Sequence, residues 1–290
     1  MNILVTGSNG FLATYFSNNN KLENCKILYG STKNSKSYLT FEKLYSNVSD
    51  ILMNKRINVI IHFASVIPKE FNLSSYDNTF LPNTKMMNNL MSYSLENNVE
   101  KFIYISSFGS MYYPNSFDIK DFYTMSKISG EHFCSMMENR GIETASLRLS
   151  SPYGEYSHSN NVLNKFIKEA INNELITVHG TGKREQNFIY VGDVTRVIEL
   201  CIKKKIKGVY NLVSSSNISM VDLAHLIVKI TGSKSEIIIN NQHDPQEEFQ
   251  PNYDYIRIKN ELSYTPKFDL EPGLIKYIDW LSKNENSINI

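Results

Sequence analysis

Short apolar runs alternate with longer amphipathic segments along the first half of the chain. Most of the apolar runs are rich in β-branched or aromatic residues and predict buried strands, whereas apolar positions three and four residues apart predict helices. The predicted strands cover residues 3–5, 26–29, 59–63, 101–105 and 144–149. The predicted helices cover residues 11–18, 41–54, 83–97 and 123–139.

This alternation predicts βαβ units, and therefore an α/β fold with a doubly wound parallel sheet covered on both faces. The rhythm changes after Leu149, where Pro152 and Gly154 mark a break. The second half predicts strands at 175–178, 187–191, 209–213 and 235–239, and helices at 162–172, 194–202, 220–230 and 273–282, with Ser219 as an N-cap. We expect a dinucleotide-binding domain over 1–154, to which 187–213 returns, and a smaller α/β substrate domain over 155–290.

Composition narrows the class of partner. Hydrophobic residues make up 41% of the chain and charged residues 20%, as in ordinary globular proteins. The net charge of +1 provides no field that would draw the chain onto nucleic acid or an anionic membrane. No apolar run approaches the ~20 residues of a membrane helix. Three distant cysteines and an N-terminus without a basic leader favour a cytoplasmic protein, and six scattered histidines predict no metal site.

A glycine-rich turn follows the first predicted strand and precedes the first helix. Gly7 permits a tight turn, Gly10 lets the backbone approach a pyrophosphate, and Ala13 allows close packing of the helix on the sheet. The helix N-terminus then offers N–H groups and a positive dipole end to phosphates. We predict that Gly7, Asn9, Gly10, Phe11 and Leu12 bind a dinucleotide, although a tight turn without a ligand is the alternative.

The end of the second strand predicts the choice of cofactor. An NAD site usually has an acidic residue here, which accepts hydrogen bonds from the ribose. This chain has Ser31, Thr32 and Lys33 instead, and these side chains could hold a 2′-phosphate. The segment favours NADP over NAD, unless it is a surface loop that does not reach the cofactor.

Three residues predict hydride chemistry. Ser107 follows the fourth predicted strand by two residues, at the carboxyl edge of the sheet where ligands bind in such folds. Tyr123 and Lys127 are four residues apart and share one helix face. A nearby ammonium favours the phenolate, so that the phenol can exchange the proton that accompanies hydride transfer. Each feature is common alone; it is their order along the chain that predicts catalysis.

Together these motifs resemble the extended short-chain dehydrogenase/reductases, the NAD(P)-dependent nucleotide-sugar epimerase, dehydratase and reductase group. Residues 6–13 resemble the family's TGxxGFxG, 62–65 its HxAA, 83–90 its NxxGTxNL, 147–154 its LRxxNxYG, and 180–194 its GxG and RDFxxVxDV signatures. The resemblance implies a Rossmann-type fold. It also implies cofactor contacts from Phe63, Ala64, Ser65, Asn83, Tyr123, Lys127 and Pro152, and substrate contacts from Ser151, Asn161, Val162, Arg184 and Gln186.

Departures from the family pattern bear on the reaction. Ser151 replaces the asparagine that contacts substrate, and Gln186 replaces the arginine of RDF, so that Arg184 or Lys183 would contact phosphate. Ser107 is followed by Phe108 and a glycine rather than by the Asp-Glu pair of the 4,6-dehydratases, which argues against elimination. The segment before Tyr123 is also shorter than in UDP-galactose 4-epimerases.

These observations favour an NADPH-dependent reductase of a 4-keto sugar nucleotide. A nucleotide-sugar 4-epimerase with tightly bound NAD is the close alternative, and a non-catalytic dinucleotide sensor is the third. Two helices carry apolar faces that resembling proteins use to form homodimers, although they could equally belong to the core of one chain. These faces comprise Met86, Met87, Leu90 and Met91 on one helix and Phe133, Met136 and Met137 on the other.

Overall fold

The computed structural model describes residues 1–31, 39–40, 48, 52, 55–68, 75–111, 121–240, 242, 244, 247 and 253–284. Thr32 and Lys33 lie outside the described residues, as does most of the predicted helix 41–54. Within that helix, Val48 and Leu52 are described and are helical and buried.

Twelve strands and eight α-helices occur in the described part of the chain. The strands are β1 (Asn2–Thr6), β2 (Lys26–Ser31), β3 (Leu39–Thr40), β4 (Val59–His62), β5 (Lys101–Ser107), β6 (Glu143–Leu149), β7 (Ser151–Tyr153), β8 (Ile176–Val178), β9 (Glu185–Tyr190), β10 (Gly208–Leu212), β11 (Asn217–Ser219) and β12 (Ile237–Ile239). The helices are α1 (Phe11–Asn19), α2 (Leu81–Glu96), α3 (Phe122–Glu138), α4 (Val162–Ile171), α5 (Val191–Lys203), α6 (Met220–Thr231), α7 (Ile256–Leu262) and α8 (Leu270–Lys283).

The central sheet has seven strands in the order β10-β6-β5-β4-β1-β2-β3, and every neighbouring pair is parallel. From β1 the chain moves outward to β3, and it then returns to β4 on the other side of β1. This reversal creates a switch point at the carboxyl ends of β1 and β4, where ligands bind in doubly wound sheets. The predicted Rossmann-type fold is confirmed.

Buried side chains cover the sheet on both faces. Leu4, Ile60 and Phe102 belong to one cluster, into which α2 contributes Met86, Met87, Leu90 and Tyr93 and α3 contributes Cys134 and Met137. Because side chains alternate along a strand, Ile3, Val5, Ile61 and Ile103 face the opposite side, and all four are buried. The buried methionines are therefore core residues, whereas Met136 is 53% exposed.

The chain divides into two compact units. The first contains Met1–Leu149, Thr195–Leu212 and Tyr255–Tyr264. Its last segment carries α7, which the apolar pattern does not predict. Arg257 on α7 donates to the carbonyl oxygens of Val209 at 2.9 Å and Lys207 at 2.6 Å, and so attaches α7 to the outermost strand, β10.

The second unit contains the described residues of Ser150–Val194, Val213–Asp254 and Thr265–Ile290. Two small sheets form it: β11-β9-β7, in which β7 and β9 are parallel, and the parallel pair β12-β8. Ser219 caps α6, as predicted, because its hydroxyl accepts from the N–H of Asp222 at 3.1 Å. The dinucleotide and substrate roles expected of the two domains stay predictions.

The described residues contain neither a membrane-spanning helix nor a cluster of metal ligands. No helix there is long and apolar enough to cross a membrane. The same part of the chain contains no group of three or more His, Cys, Asp or Glu side chains arranged to hold a metal ion.

Candidate active site

The predicted phosphate turn joins β1 to α1 at the switch point. Gly7 has a φ of +71°, and a Cβ there would lie 2.7 Å from the backbone nitrogen of Ala64. Only glycine fits this close approach to the segment after β4. Gly10 is the N-cap of α1, and no side chain caps that helix. Asn9 and Gly10 are exposed, so the turn presents backbone at the start of a helix.

The other residues of the first unit that are predicted to bind the cofactor lie on elements that neighbour β1 in the sheet or follow this turn in the chain. Phe11 and Leu12 open α1, Phe63, Ala64 and Ser65 follow β4, and Ser31 ends β2. Asn83 lies in α2, where its amide binds the segment after β4: Oδ1 accepts from Val66 N at 2.8 Å, and Nδ2 donates to Val66 O at 3.0 Å. Asn83 Nδ2 also donates to Ser126 Oγ at 3.1 Å. In this structure Asn83 therefore acts as a brace between α2, α3 and the loop after β4.

Helix α3 carries the predicted proton donor in its first turn. Asp121 is the N-cap, and its carboxylate accepts from the N–H of Thr124 at 2.8 Å. This bond fixes the start of the helix and hence the position of Tyr123. Lys127 lies one turn later, and its Nζ is 5.5 Å from the centroid of the Tyr123 ring.

Lys127 is held beneath the end of β5. The side chain is almost fully buried, and Nζ donates to Ile105 O at 2.9 Å. Burial lowers the pKa of Lys127 to about 7, and the carboxylate of Glu131 opposes this shift. Lys127 thus changes its charge near neutral pH, where small changes in its surroundings decide its protonation state.

The pKa of the Tyr123 phenol is shifted in the opposite direction from that of Lys127. Burial raises the pKa of Tyr123 to about 12, the Ser65 side chain lowers it in part, and Asp121 raises it further. Tyr123 is therefore protonated at neutral pH, which is the form that donates a proton. Adding positive charge nearby would lower this pKa toward the working range of an acid–base catalyst.

His62 ends β4 as a neutral residue. Its Nδ1 lies 2.7 Å from Thr6 Oγ1, which ties β4 to β1 at the switch point. Burial, followed by the charge of Lys127, lowers the pKa of His62 to about 3. His62 consequently adds no charge beside Lys127 at physiological pH.

Ser107 stands at the end of β5, two residues beyond the carbonyl that holds Lys127. Its Oγ accepts from the N–H of Gly109 at 3.1 Å, within the 3₁₀ turn Phe108–Met111. Phe108, which occupies the position of a dehydratase's acid, is buried. The three predicted catalytic residues therefore lie on two elements of the first compact unit: Ser107 on strand β5, and Tyr123 and Lys127 on helix α3.

The sequence prediction missed an ion pair next to these residues. Glu131 is one turn beyond Lys127 and accepts from Arg148 Nε at 2.8 Å, from Arg148 Nη2 at 2.6 Å and from Ser106 Oγ at 2.6 Å. Arg148 and Ser106 face each other in the register of β6 and β5. The spacing of Lys127 and Glu131 was a visible signal, but Arg148 joins them only through the sheet pairing.

The predicted substrate residues lie in the second unit. Asn161 caps α4, with its side chain accepting from the N–H of Asn164 at 2.9 Å. Asn161, Val162 and Arg184 line one cavity of about 460 Å³, together with Lys165. The cavity thus combines a helix N-terminus with two cationic side chains, which suits an anionic ligand.

Arg184 is already paired in this cavity. Its Nε donates to Asp244 Oδ2 at 2.6 Å and its Nη1 to Gln186 Oε1 at 2.9 Å, while Gln186 donates to Ser151 Oγ. Three of the predicted substrate residues therefore form one hydrogen-bonded chain. Asp244, at its end, carries no motif and was not predicted. Pro152 lies beside Ser151 on β7.

The sequence from residue 3 to residue 212 matches the family model described as "NAD dependent epimerase/dehydratase family". The chain belongs to this family. The match includes the glycine turn, Ser107, Tyr123 and Lys127, together with the residues of the second unit that are predicted to bind substrate.

Proteins named for several activities are similar to this chain over almost its whole length. dTDP-D-glucose 4,6-dehydratase of Bos taurus is 28% identical, over 97% of this chain and 89% of that protein. UDP-glucose 4-epimerase of Thermotoga maritima, solved with UDP-glucose, has a TM-score of 0.82 and 22% identity, covering 98% of this chain and 100% of that one. UDP-glucuronic acid 4-epimerase of Bacillus cereus, solved with UDP-glucuronic acid and NAD, has a TM-score of 0.81 and 24% identity, with coverage of 98% and 100%.

The glycine turn of this epimerase/dehydratase family member fits a dinucleotide. Gly7 and Gly10 contribute no side chain to the turn, and α1 has no side-chain cap to compete with a phosphate. Ser8 Oγ is buried and has no hydrogen-bond partner among the described residues. Backbone N–H groups at an uncapped helix start are the donors that a pyrophosphate requires.

Proposed function

We propose that this protein catalyses hydride transfer between a nicotinamide dinucleotide and a nucleotide sugar, with Tyr123 as the proton carrier. The observation that carries the proposal is the placement of Tyr123 and Lys127 on one helix face, with the ammonium held at the end of the strand that carries Ser107. When bound, the nicotinamide ring supplies or accepts the hydride.

The roles of the three residues follow from their chemistry. The Ser107 hydroxyl orients the substrate oxygen by a hydrogen bond. Tyr123 donates its proton to that oxygen in the reductive direction and takes it back in the oxidative one. Lys127, as an ammonium, stabilises the phenolate that this transfer leaves. A dinucleotide sensor would need none of these groups, which is why we favour an enzyme.

The finer hypothesis is NADPH-dependent reduction of a 4-keto sugar nucleotide. In this reaction bound NADPH would supply the hydride to the carbonyl carbon, Tyr123 would give its proton to the oxygen, and a proton from solvent would restore the phenol. Ser31 in place of an acid at the end of β2 supports NADP, together with Thr32 and Lys33, which lie outside the described residues. Phe108 in place of an acid supports reduction over dehydration.

A 4-epimerase with tightly bound NAD is the second candidate. The similar structures from Thermotoga maritima and Bacillus cereus are both 4-epimerases, and the latter was solved with NAD. The same Tyr123 and Lys127 would serve both directions of hydride transfer. An epimerase would return the hydride to the opposite face of the same carbon, so that it consumes no cofactor.

We further propose that the second unit binds the nucleoside diphosphate part of the substrate. Asn161, Val162 and Arg184 line its cavity, and Ser151 and Gln186 extend from Arg184 by hydrogen bonds. Pro152 and Asn83 remain proposed cofactor residues, the latter through the loop that it braces. Arg184, Lys165 and the N-terminus of α4 favour an anionic ligand, and the cavity of about 460 Å³ is in the range of small-molecule sites.

Homodimer formation is a separate proposal. Leu81 on α2 and Met125 and Met136 on α3 are large apolar residues on the surface of this chain, 39–53% exposed. Light scattering after size exclusion would test it: a mass near twice the 33.4 kDa of one chain is expected, and a mass near 33.4 kDa would exclude it.

Cofactor accounting separates the proposed reactions. The purified protein is denatured and the released nucleotide is identified by mass spectrometry. Intact protein is then incubated with NADPH or NADH and 4-keto or 4-hydroxy sugar nucleotides, while absorbance at 340 nm and product are followed. A reductase consumes one NADPH per product. Conversion between 4-hydroxy epimers without net cofactor use supports the epimerase instead, and absence of both turnover and nucleotide binding would overturn the proposed function.

A further inference from the structure

Glu131 is a buried carboxylate that the proposed proton transfer does not use. Its side chain is 7% exposed, and both of its oxygens are occupied by charge-assisted or hydroxyl donors from Arg148 and Ser106. A carboxylate is costly to bury, and replacing such an ion pair with apolar residues is often neutral or stabilising. Stability alone therefore does not explain why the pair lies at this place.

The location of Glu131 connects it with each element of the catalytic centre. It lies on α3 one turn after Lys127, so the two side chains share a helix face. Ser106, which donates to Glu131, directly precedes Ser107 on β5. Arg148 is paired with Ser106 in the sheet and makes a two-pronged contact with the carboxylate.

A close approach of α3 to β5 holds this arrangement in place. A Cβ on Gly130, the residue before Glu131, would lie 2.4 Å from the Tyr104 hydroxyl oxygen. The absence of a side chain at Gly130 brings the helix down onto the strand. As a result the Glu131 carboxylate reaches Ser106 while Lys127 reaches the Ile105 carbonyl.

We propose that Glu131 is a positioning residue of the catalytic centre: it ties the Lys127 turn of α3 to the ends of β5 and β6, and it supplies a negative charge that favours the ammonium form of Lys127. This inference rests on the proposed function, because it assigns Glu131 a role in proton transfer by Tyr123 and Lys127. Arg148 has the opposite effect on Lys127, since it neutralises part of the negative charge of Glu131.

The other titratable groups of the described residues that face Lys127 do not supply such a charge. From β4, His62 is neutral because burial lowers its pKa to about 3. From β5, burial raises the pKa of Tyr104 well above its ordinary value, so it is a neutral phenol whose ring centroid is 5.2 Å from Nζ. From α3 itself, Tyr123 is protonated at neutral pH. Glu131 is thus the carboxylate that raises the pKa of Lys127 against burial.

Two substitutions in the same ion pair distinguish this role from a structural one. Glu131→Gln removes the negative charge, so the ammonium form of Lys127 is lost at lower pH, and the alkaline limb of kcat/KM shifts to lower pH by at least about 0.5 unit. Arg148→Met leaves the carboxylate unshielded and shifts that limb to higher pH. A purely structural ion pair predicts that both variants lose stability together, with no opposite shifts. Glu143→Gln breaks the Lys101–Glu143 pair on the same sheet and is the matched control, with an unmoved pH profile.

A second readout does not depend on turnover. The protein is labelled with ¹³C at lysine Cε, and the Lys127 signal, assigned with Lys127→Met, is titrated in the wild type and the variants. Opposite displacements of the Lys127 midpoint in Glu131→Gln and Arg148→Met support the proposal. Equal midpoints, or displacements in the same direction, overturn it. If the titration behaves as expected while no nucleotide sugar is turned over, the proposed function fails and the coupling of Glu131 to Lys127 stands.

The hydrogen bond between Ser106 and Glu131 can be removed without changing the charge of the ion pair. Ser106→Ala keeps the Glu131–Arg148 ion pair but removes the hydrogen bond that Ser106 at the end of β5 donates to Glu131. Because the ion pair stays, this variant can be measured even if Arg148→Met fails to fold. We expect kcat to fall several-fold with KM for the sugar nucleotide and the Lys127 midpoint unchanged. An unchanged kcat would overturn the positioning role.

Discussion

The side chain of Asn83 pairs with both backbone groups of Val66, accepting from its N–H at 2.8 Å and donating to its C=O at 3.0 Å. The side-chain amide thereby gives Val66 the pair of hydrogen bonds that the backbone of a neighbouring strand would otherwise provide. Since that segment carries Phe63, Ala64 and Ser65, the brace sets the wall of the proposed cofactor site.

Asn83→Ala tests the brace. Three hydrogen bonds are lost, each worth about 0.5–1.5 kcal/mol, so we expect about 2–4 kcal/mol less stability in urea unfolding. We also expect weaker dinucleotide binding by calorimetry. Asn97→Ala, at the exposed far end of α2, should leave the dinucleotide affinity unchanged. Equal affinity in Asn83→Ala and the wild type would contradict the proposed link to the cofactor.

Tyr123→Phe should remove the proton carrier and keep the fold. General acid–base catalysis contributes about 10²–10⁴-fold to a rate, so we expect a loss of that size in kcat with dinucleotide affinity nearly unchanged. Tyr93→Phe serves as the control, because the Tyr93 hydroxyl donates to Lys55 O away from the proposed centre. Undiminished turnover in Tyr123→Phe would show that the catalytic assignment is wrong.

Lys127 gives the folded protein a specific dependence on pH. Burial lowers its pKa from 10.5 to about 7, so between these values the unfolded chain binds more protons than the folded one. The free energy of unfolding therefore gains up to about 1.4 kcal/mol per pH unit from this residue as pH rises from about 7 toward 10. Urea unfolding of the wild type and Lys127→Met across this range should show the stability difference changing in favour of the wild type. A constant difference would mean that Lys127 titrates normally.

Asp244 would compete with the proposed diphosphate ligand for Arg184. Asp244→Asn should release the guanidinium, which donates at 2.6 Å to this carboxylate in the wild type. We expect UDP or dTDP to bind about tenfold more tightly, corresponding to one charge-assisted contact of about 1.4 kcal/mol. Calorimetry measures this, with Glu261→Gln on the exposed Arg257–Glu261 pair as the control. Weaker or unchanged binding would remove Arg184 from the proposed diphosphate site.

Most strands of the first unit could be predicted from sequence because each of them is a nearly continuous apolar run. The short strands β3, β7 and β11 and the helix α7 could not. The helix α7 has only Ile258 and Leu262 buried, and it depends on Arg257 binding the edge strand, a contact between residues about 50 positions apart. Tertiary contacts, rather than local periodicity, determine these elements.

The candidate site divides in the same way. Gly7, Tyr123 and Lys127 could be predicted because their spacing reports on a single turn or helix face. Glu131 and Arg148 meet only through the register of β5 and β6, and Asp244 meets Arg184 across 60 positions of sequence. No local pattern encodes such pairs. The pKa of Lys127 could not be predicted either, because its cause is the depth of burial rather than a neighbouring residue in the chain.

The placement of β10 beside β6 has a consequence for biosynthesis. Strand β6 keeps an open edge until β10, residues 208–212, has been made. At about 5–20 residues per second, the ~63 residues that follow Leu149 up to Leu212 take on the order of 3–13 s to translate. Throughout that interval the nascent sheet exposes a strand edge that can pair with other chains, and any product terminated after β6 would retain that edge permanently.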